Sequence, residues 1–263
     1  MRARTQTGLA VSGDGVHWAL LNASPDLGLQ LRTTPQLWPH GELRHTPIIA
    51  VVLTGGEVDQ MSGLLHLRER QPFELFAAAS THALLDANPM FEALARDVVK
   101  RRKVSSGAPF SLPGELEVEL FAVPGKVPLY LEGSRPRGLA EDSAGVEIRR
   151  DGARLLFMPG IAAITDMIKE RIARADAVLF DGTVFSDDEM IRAGTGNKTG
   201  RRMGHMPIDG DGGSLQALAG LRNRRVFIHI NNTNPVLVDG SPERRRVEEE
   251  GWEVAQDGQE IVL

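Results

Sequence analysis

Short apolar runs recur along the chain, separated by polar, glycine-bearing turns, and their periodicity predicts a framework of strands with intervening helices. Residues 8–12 and 18–22 flank Gly13-Asp14-Gly15, a hairpin signal. Asp26 then precedes leucines at 27, 29 and 31 and is expected to cap a helix. Residues 48–53 (IIAVVL) are apolar on both faces, as a central buried strand would be. That run ends in TGGEVDQ, and the spacing of the next apolar residues starts a helix near Met61, which Asp59 could cap. Residues 73–77 predict another strand, and Ser80-Thr81 opens a helical stretch. Residues 90–99 have near-helical spacing, with the basic run 100–103 at the expected helix C-terminus. At residues 116–123 the period becomes two, placing Leu116, Val118, Leu120 and Ala122 on one face of a strand.

The second half repeats the plan. Strands at 146–148 and 153–158 turn about Asp151-Gly152, followed by an amphipathic helix at 164–173 and the buried strand 178–180. Helix 214–221, strand 225–228, helix 242–250 and a last strand at 252–254 close the chain. Two halves, each with hairpin strands followed by strand–helix units and no long linker, predict an α/β protein. The expected architecture is two mixed sheets packed face to face with helices outside, as one domain over residues 1–263.

Composition narrows the class. The 263 residues, 41% of them hydrophobic, suffice for a substantial core. A net charge of −5 argues against a nucleic-acid partner, and Arg222 to Arg225 read as a solvated turn before a strand. No cysteine is present, which excludes disulfides and thiolate metal sites and suits the cytoplasm. No apolar run reaches the roughly 20 residues that span a bilayer, and no signal-peptide core is visible, so no membrane association is expected. Residues 132–143, rich in Gly, Pro, Arg and acid, predict a surface excursion able to act as a lid.

Candidate chemistry gathers at strand ends, where α/β sheets usually place it. Asp59 with Gln60, Lys126, Asp181 and His229 each follow a predicted strand, and a long polar loop after Asp181 returns His205. Two imidazoles and a carboxylate suit Zn, Fe or Mn. Structural roles compete: Asp181 could close a turn and His229 could be a core histidine. Spacing alone reaches a hydrolase or an oxidoreductase and no further.

The tracts RTQTGLAVSGDGVHWALLNASPDL, VPGKVPLYLE, LFDGTVFSDDEMIRAGTGNKTGRRMGHMP, VFIHINNTNPVL and SPERRRVEEEGWEVAQDGQEI carry more. In them the chain resembles the coenzyme PQQ synthesis protein B family over essentially its whole length. The resemblance implies the metallo-β-lactamase fold, an αββα sandwich. It also implies a role in making pyrroloquinoline quinone (PQQ) from a peptide precursor whose Glu and Tyr are cross-linked. Two activities follow from it: hydroxylation of the tyrosine-derived ring with iron and O₂, or carriage of PQQ or its precursor towards the periplasm. One Fe(II) or Zn(II) per chain is expected, with Asp59, Gln60, Asp181, His229 and His205 as its candidate ligands. Asp181 and His205 are the expected catalytic pair, and His205 would move a proton. Lys126, Arg201 and Arg202 would meet the carboxylates of the precursor or of PQQ. Other proteins of the pathway are candidate partners, and the sequence leaves room for a homodimer.

The sequence departs from the resemblance at several points. Gly55 and Glu57 stand where the fold's hydrolases have two histidines, so a second metal is not expected and hydrolysis ranks last. Lys126 occupies the third-motif position, and Gln60 stands where relatives keep a histidine. The family usually begins with a glycine-rich strand and a cysteine cluster that binds structural zinc. This chain starts downstream of both, so no cysteine zinc site is expected and a sheet edge should be left exposed.

Overall fold

The structure, a computed structural model, describes residues 3–41, 44–133 and 142–263. Apolar runs become strands in two sheets. In the first, β1 (Leu9–Val11) and β2 (Trp18–Leu21) form the predicted antiparallel hairpin, with Leu9 opposite Leu21. Helix α1 (Leu27–Thr33) returns the chain to β3 (Ile48–Val52), which is parallel to β2. Next come α2 (Val58–Met61), β4 (Glu74–Ala77), α3 (Ala79–Asp86) and β5 (Lys100–Lys103), giving the order β1-β2-β3-β4-β5.

The second sheet opens with an antiparallel meander: β6 (Phe110–Leu112), β7 (Leu116–Ala122), β8 (Ala144–Arg150) and β9 (Ala153–Met158). Helix α4 (Asp166–Arg174) crosses over to β10 (Ala177–Asp181), parallel to β9. After the one-turn helices α5 (Glu189–Arg192), α6 (Gly200–Met203) and α7 (Ser214–Ala217) comes β11 (Arg224–Ile228). Helix α8 (Pro242–Glu249) and β12 (Trp252–Val254) complete the order β12-β11-β10-β9-β8-β7-β6.

Three apolar layers hold this arrangement. Ala50, Val52, Val118, Val146, Leu179 and Val226 pack between the sheets. Leu27, Leu64 and Leu85 cover the outer face of the first sheet, and Ile168, Ile172 and Val247 cover that of the second. The result is the expected αββα sandwich.

Several local expectations are corrected. Asp26 sits at the helix start, but its carboxylate accepts from the Gln6 N–H at 2.8 Å instead of capping α1. Residues 90–99 form only a short 3₁₀ turn, Pro89–Ala93, and the basic run is not a helix end. It is β5, a sheet edge, where lysines and arginines discourage pairing with another chain. The helix expected over 214–221 is the single turn α7. Arg225 is buried rather than solvated, its guanidinium 5.0 Å from the Trp252 ring centroid and donating to the Leu218 carbonyl. Of the lid expected over 132–143, residues 134–141 lie outside the described residues.

Alternation in β7 puts Glu119 on the helix-facing side, where it is buried beside Glu147 of β8. Arg171 of α4 bridges both carboxylates, reaching Glu119 at 2.6 Å and lying 4.6 Å from the centroid of the Phe121 ring. Arg149 adds contacts of 3.1 and 3.3 Å. Replacing Arg171 would remove the shortest ion pair of each buried carboxylate and leave Glu119 to Arg149 and Glu147 to Arg149 and Arg154, so Arg171→Ala should lower stability by about 2 kcal/mol. A urea midpoint equal to that of the wild type would remove this account.

His82 of α3 donates from Nε2 to the Arg102 carbonyl of β5 at 3.0 Å, and burial holds its pKa below the ordinary value. The unfolded chain therefore takes up the proton first, and stability is lost as pH falls from about 6.5 through the depressed value. His82→Gln should flatten the pH dependence of the unfolding midpoint in that window, whereas an unchanged slope would assign it to other groups.

Candidate metal centre

Asp181, the last residue of β10, is fully buried at the end of a strand whose every residue is buried. Four donors meet its carboxylate. Oδ2 accepts from the Ile161 N–H at 2.9 Å and faces His205 Nδ1 at 2.6 Å. Oδ1 accepts from the Thr183 N–H at 3.0 Å and its hydroxyl at 2.6 Å. Burial alone would raise this carboxyl's pKa, but the charge and hydrogen bond of His205 outweigh it and hold the group below the ordinary range.

His229 follows β11 in the left-handed region, φ +54°, a conformation that turns the chain sharply at the strand end. Its ring stacks on that of His205, centroids 5.2 Å apart. Thr183 Oγ1 lies 2.7 Å from His229 Nδ1 and 3.1 Å from His205 Nδ1. Nε2 of His229 meets Asp59 Oδ2 at 2.7 Å. An ionised carboxylate only accepts, so that nitrogen carries its proton and Nδ1 faces inward. Burial lowers the His229 pKa, yet the hydrogen bond and charge of Asp59 more than reverse this.

The structure thus brings together Asp181, His205 and His229, which offer ligand atoms all within 4.8 Å of one another. One carboxylate and two imidazoles form a donor set that fits a single Zn(II) or Fe(II). Asp59 stands behind His229, the position from which a carboxylate orients an imidazole ligand. Gln60 is engaged differently. Glu57 is the N-cap of α2, and Gln60 Oε1 accepts from the Glu57 N–H at 3.2 Å in a capping box.

The two sheets meet at this mouth. Gly55 bridges Ser143, and the Ala144 N–H donates to the Thr54 carbonyl at 2.8 Å. A narrow pocket opens there, with Thr54, Glu57, Gln60, Lys126, Gly160 and His205 among its lining residues. Lys126 reaches it along Gly204, whose φ of +88° and close approach require glycine: a Cβ would sit 2.9 Å from Lys126 Cγ. Arg201 and Arg202 are exposed on α6, and the Arg201 guanidinium donates to the carbonyls of Asp211 and Gly212.

Sequence reasoning passed over Thr183 and Asn234. The Asn234 amide donates to the Gly182 carbonyl at 2.8 Å, tying the loop after β11 to the loop after β10. The available signal was the polar stretch after each strand end, with Thr183 two residues past Asp181 and Asn234 five past His229.

The chain is similar to known proteins over nearly its whole length. The β-lactamase superfamily domain family matches residues 17–230. "Coenzyme PQQ synthesis protein B" of Methylobacterium nodulans is 52% identical over 263 residues, covering 99% of this chain and 88% of the relative. The protein of that name from Gluconacetobacter diazotrophicus is 52% identical over 270 residues, with the same coverage. The chain belongs to the coenzyme PQQ synthesis protein B family. A crystal structure of zinc-bound PqqB from Methylobacterium extorquens, 52% identical, superposes with a TM-score of 0.96 over 100% of this chain and 89% of the other. A diphosphatase of the PhnP family, 19% identical with a TM-score of 0.66 over 97% of this chain and 82% of its own, shares the fold.

In this family member Asp59 should act through His229. Asp59→Ala is expected to weaken Zn(II) binding about 10- to 100-fold in a chelator competition, with the far-UV spectrum retained. Unaltered affinity would count against an orienting role.

Proposed function

We propose that this protein acts in PQQ biosynthesis, holding one metal through Asp181, His205 and His229 and hydroxylating the tyrosine-derived ring of the cross-linked Glu–Tyr precursor. The observation that carries the reading is the convergence of these three side chains beside a pocket that also presents a lysine. An iron held there would supply O₂ activation. The chain's own residues would do the rest. His205, on the pocket wall beside Asp181, has two alternative uses: as the third ligand it would give one ring nitrogen to the metal, and with Asp181 and His229 alone holding the metal it would keep Nδ1 on Asp181 and move a proton through its other nitrogen. Asp59 keeps the His229 ring in place, and Lys126 draws in a carboxylate of the precursor. Hydrolysis between two metals remains disfavoured, because Gly55 and Glu57 offer no imidazole.

A second reading, binding of PQQ or its precursor without turnover, is favoured by one feature. Gln60 is committed to a helix cap and brings no imidazole to the centre. Both readings place the protein in one pathway, with the precursor or PQQ as its small-molecule partner.

Anaerobic reconstitution should load about one Fe(II) or Zn(II) per chain, and Asp181→Ala should lose most of it. Supplied with Fe(II), O₂, a reductant and the precursor, the wild type should yield a product one oxygen atom heavier. Precursor bound but returned unchanged would select the carrier reading; neither metal nor precursor retained would overturn both.

A further inference from the structure

Glu132 lies at the edge of the site and joins two cations from distant parts of the chain. Lys126, four residues after β7, donates to its Oε1 at 3.2 Å, and Lys198, in the loop before α6, donates to Oε2. All three side chains are roughly one-quarter to one-third exposed, at 23%, 29% and 35% for Lys126, Lys198 and Glu132. Ion pairs this accessible add little to stability. Glu132 ends a strap tied to the loop before α2: the Leu129 N–H donates to the carboxylate of Glu57, a pocket-lining residue, at 3.2 Å, and the Tyr130 hydroxyl to the Gly56 carbonyl at 2.8 Å. The strap thereby delivers a carboxylate of the chain itself to a pair of lysines, one of which lines the pocket beside His205.

We propose that Lys126 and Lys198 form a two-lysine subsite for a carboxylate of the ligand, with Glu132 as a built-in occupant that the ligand displaces. This deepens the PQQ-pathway reading and rests on it, because the cross-linked precursor and PQQ both carry several carboxylates. Such a ligand holds other groups against the site while one carboxylate competes with Glu132, and this raises its effective concentration at the lysines. Glu57, the acid on the pocket wall, is already engaged: its carboxylate accepts from the Leu129 N–H and caps α2, leaving the two lysines to Glu132. The two lysines also hold Glu132 well ionised, Lys198 first, so the pair already favours a bound carboxylate.

The test is calorimetric titration of PQQ, and separately of its trimethyl ester, into the zinc-loaded full chain. Lys198→Ala should weaken PQQ binding about tenfold, the worth of one charge-assisted hydrogen bond, and leave ester binding unmoved. Glu132→Gln should tighten PQQ binding several-fold, a sign opposite to that of a merely structural ion pair. Zinc content and urea midpoint establish that each variant is folded, and Lys198→Gln replaces Lys198→Ala if the latter is not. Weaker or unchanged PQQ binding by Glu132→Gln, or unchanged binding by both Lys198 variants, overturns the subsite. If the wild type binds PQQ and the variants do not shift it, only the subsite falls; if the wild type binds neither PQQ nor the precursor, the pathway reading falls with it.

Discussion

The site depends on keeping one carboxylate ionised in the protein interior. Stripping water from an unpaired carboxylate costs several kcal/mol. Asp181 avoids this only because Ile161, Thr183 and His205 all point donors at it. Those donors come from the segment after β9, the loop after β10 and the turn after α6. None of these segments can shift without exposing the carboxylate to an unmet demand. The same contacts place His205 against His229, so the group that stabilises the loops also sets the spacing of the imidazoles.

The sandwich creates the opening in which this happens. Its apolar layers bring the C-terminal ends of β3 and of β10 and β11 to one mouth, where Asp59 from the first sheet meets His229 from the second. That hydrogen bond spans 170 positions of sequence. Away from the mouth, polar interiors are handled differently: Glu119 and Glu147 are neutralised by arginines under α4, a structural network with no open position for a ligand.

Backbone geometry adds the finer placement. His229 at positive φ bends the chain directly after β11. Gly204, also at positive φ, leaves room for the Lys126 stem beside His205. Asn234 then fixes the loop after β11 to the carbonyl of Gly182. Rigid neighbours of this kind allow a metal or proton-transfer site to be assembled before a ligand arrives.

Most of the framework was legible in the residues themselves, because burial imposes periodicity: the apolar runs of β3 and β10, the alternation of β7 and the stripe of α4 each record which faces meet a core. The strand-end placement of Asp59, Asp181 and His229 was legible for the same reason. Residues 100–103 were not, since a basic run serves a helix end or a sheet edge equally well and only pairing with β4 distinguishes them. Nor could local sequence separate a ligand from the residue that orients it. Asp59 lies behind His229 and Thr183 bridges two rings, because contacts across 22 to 170 positions are set by how the sheets close and not by any local pattern, whereas Gln60 is spent on a cap only three residues away.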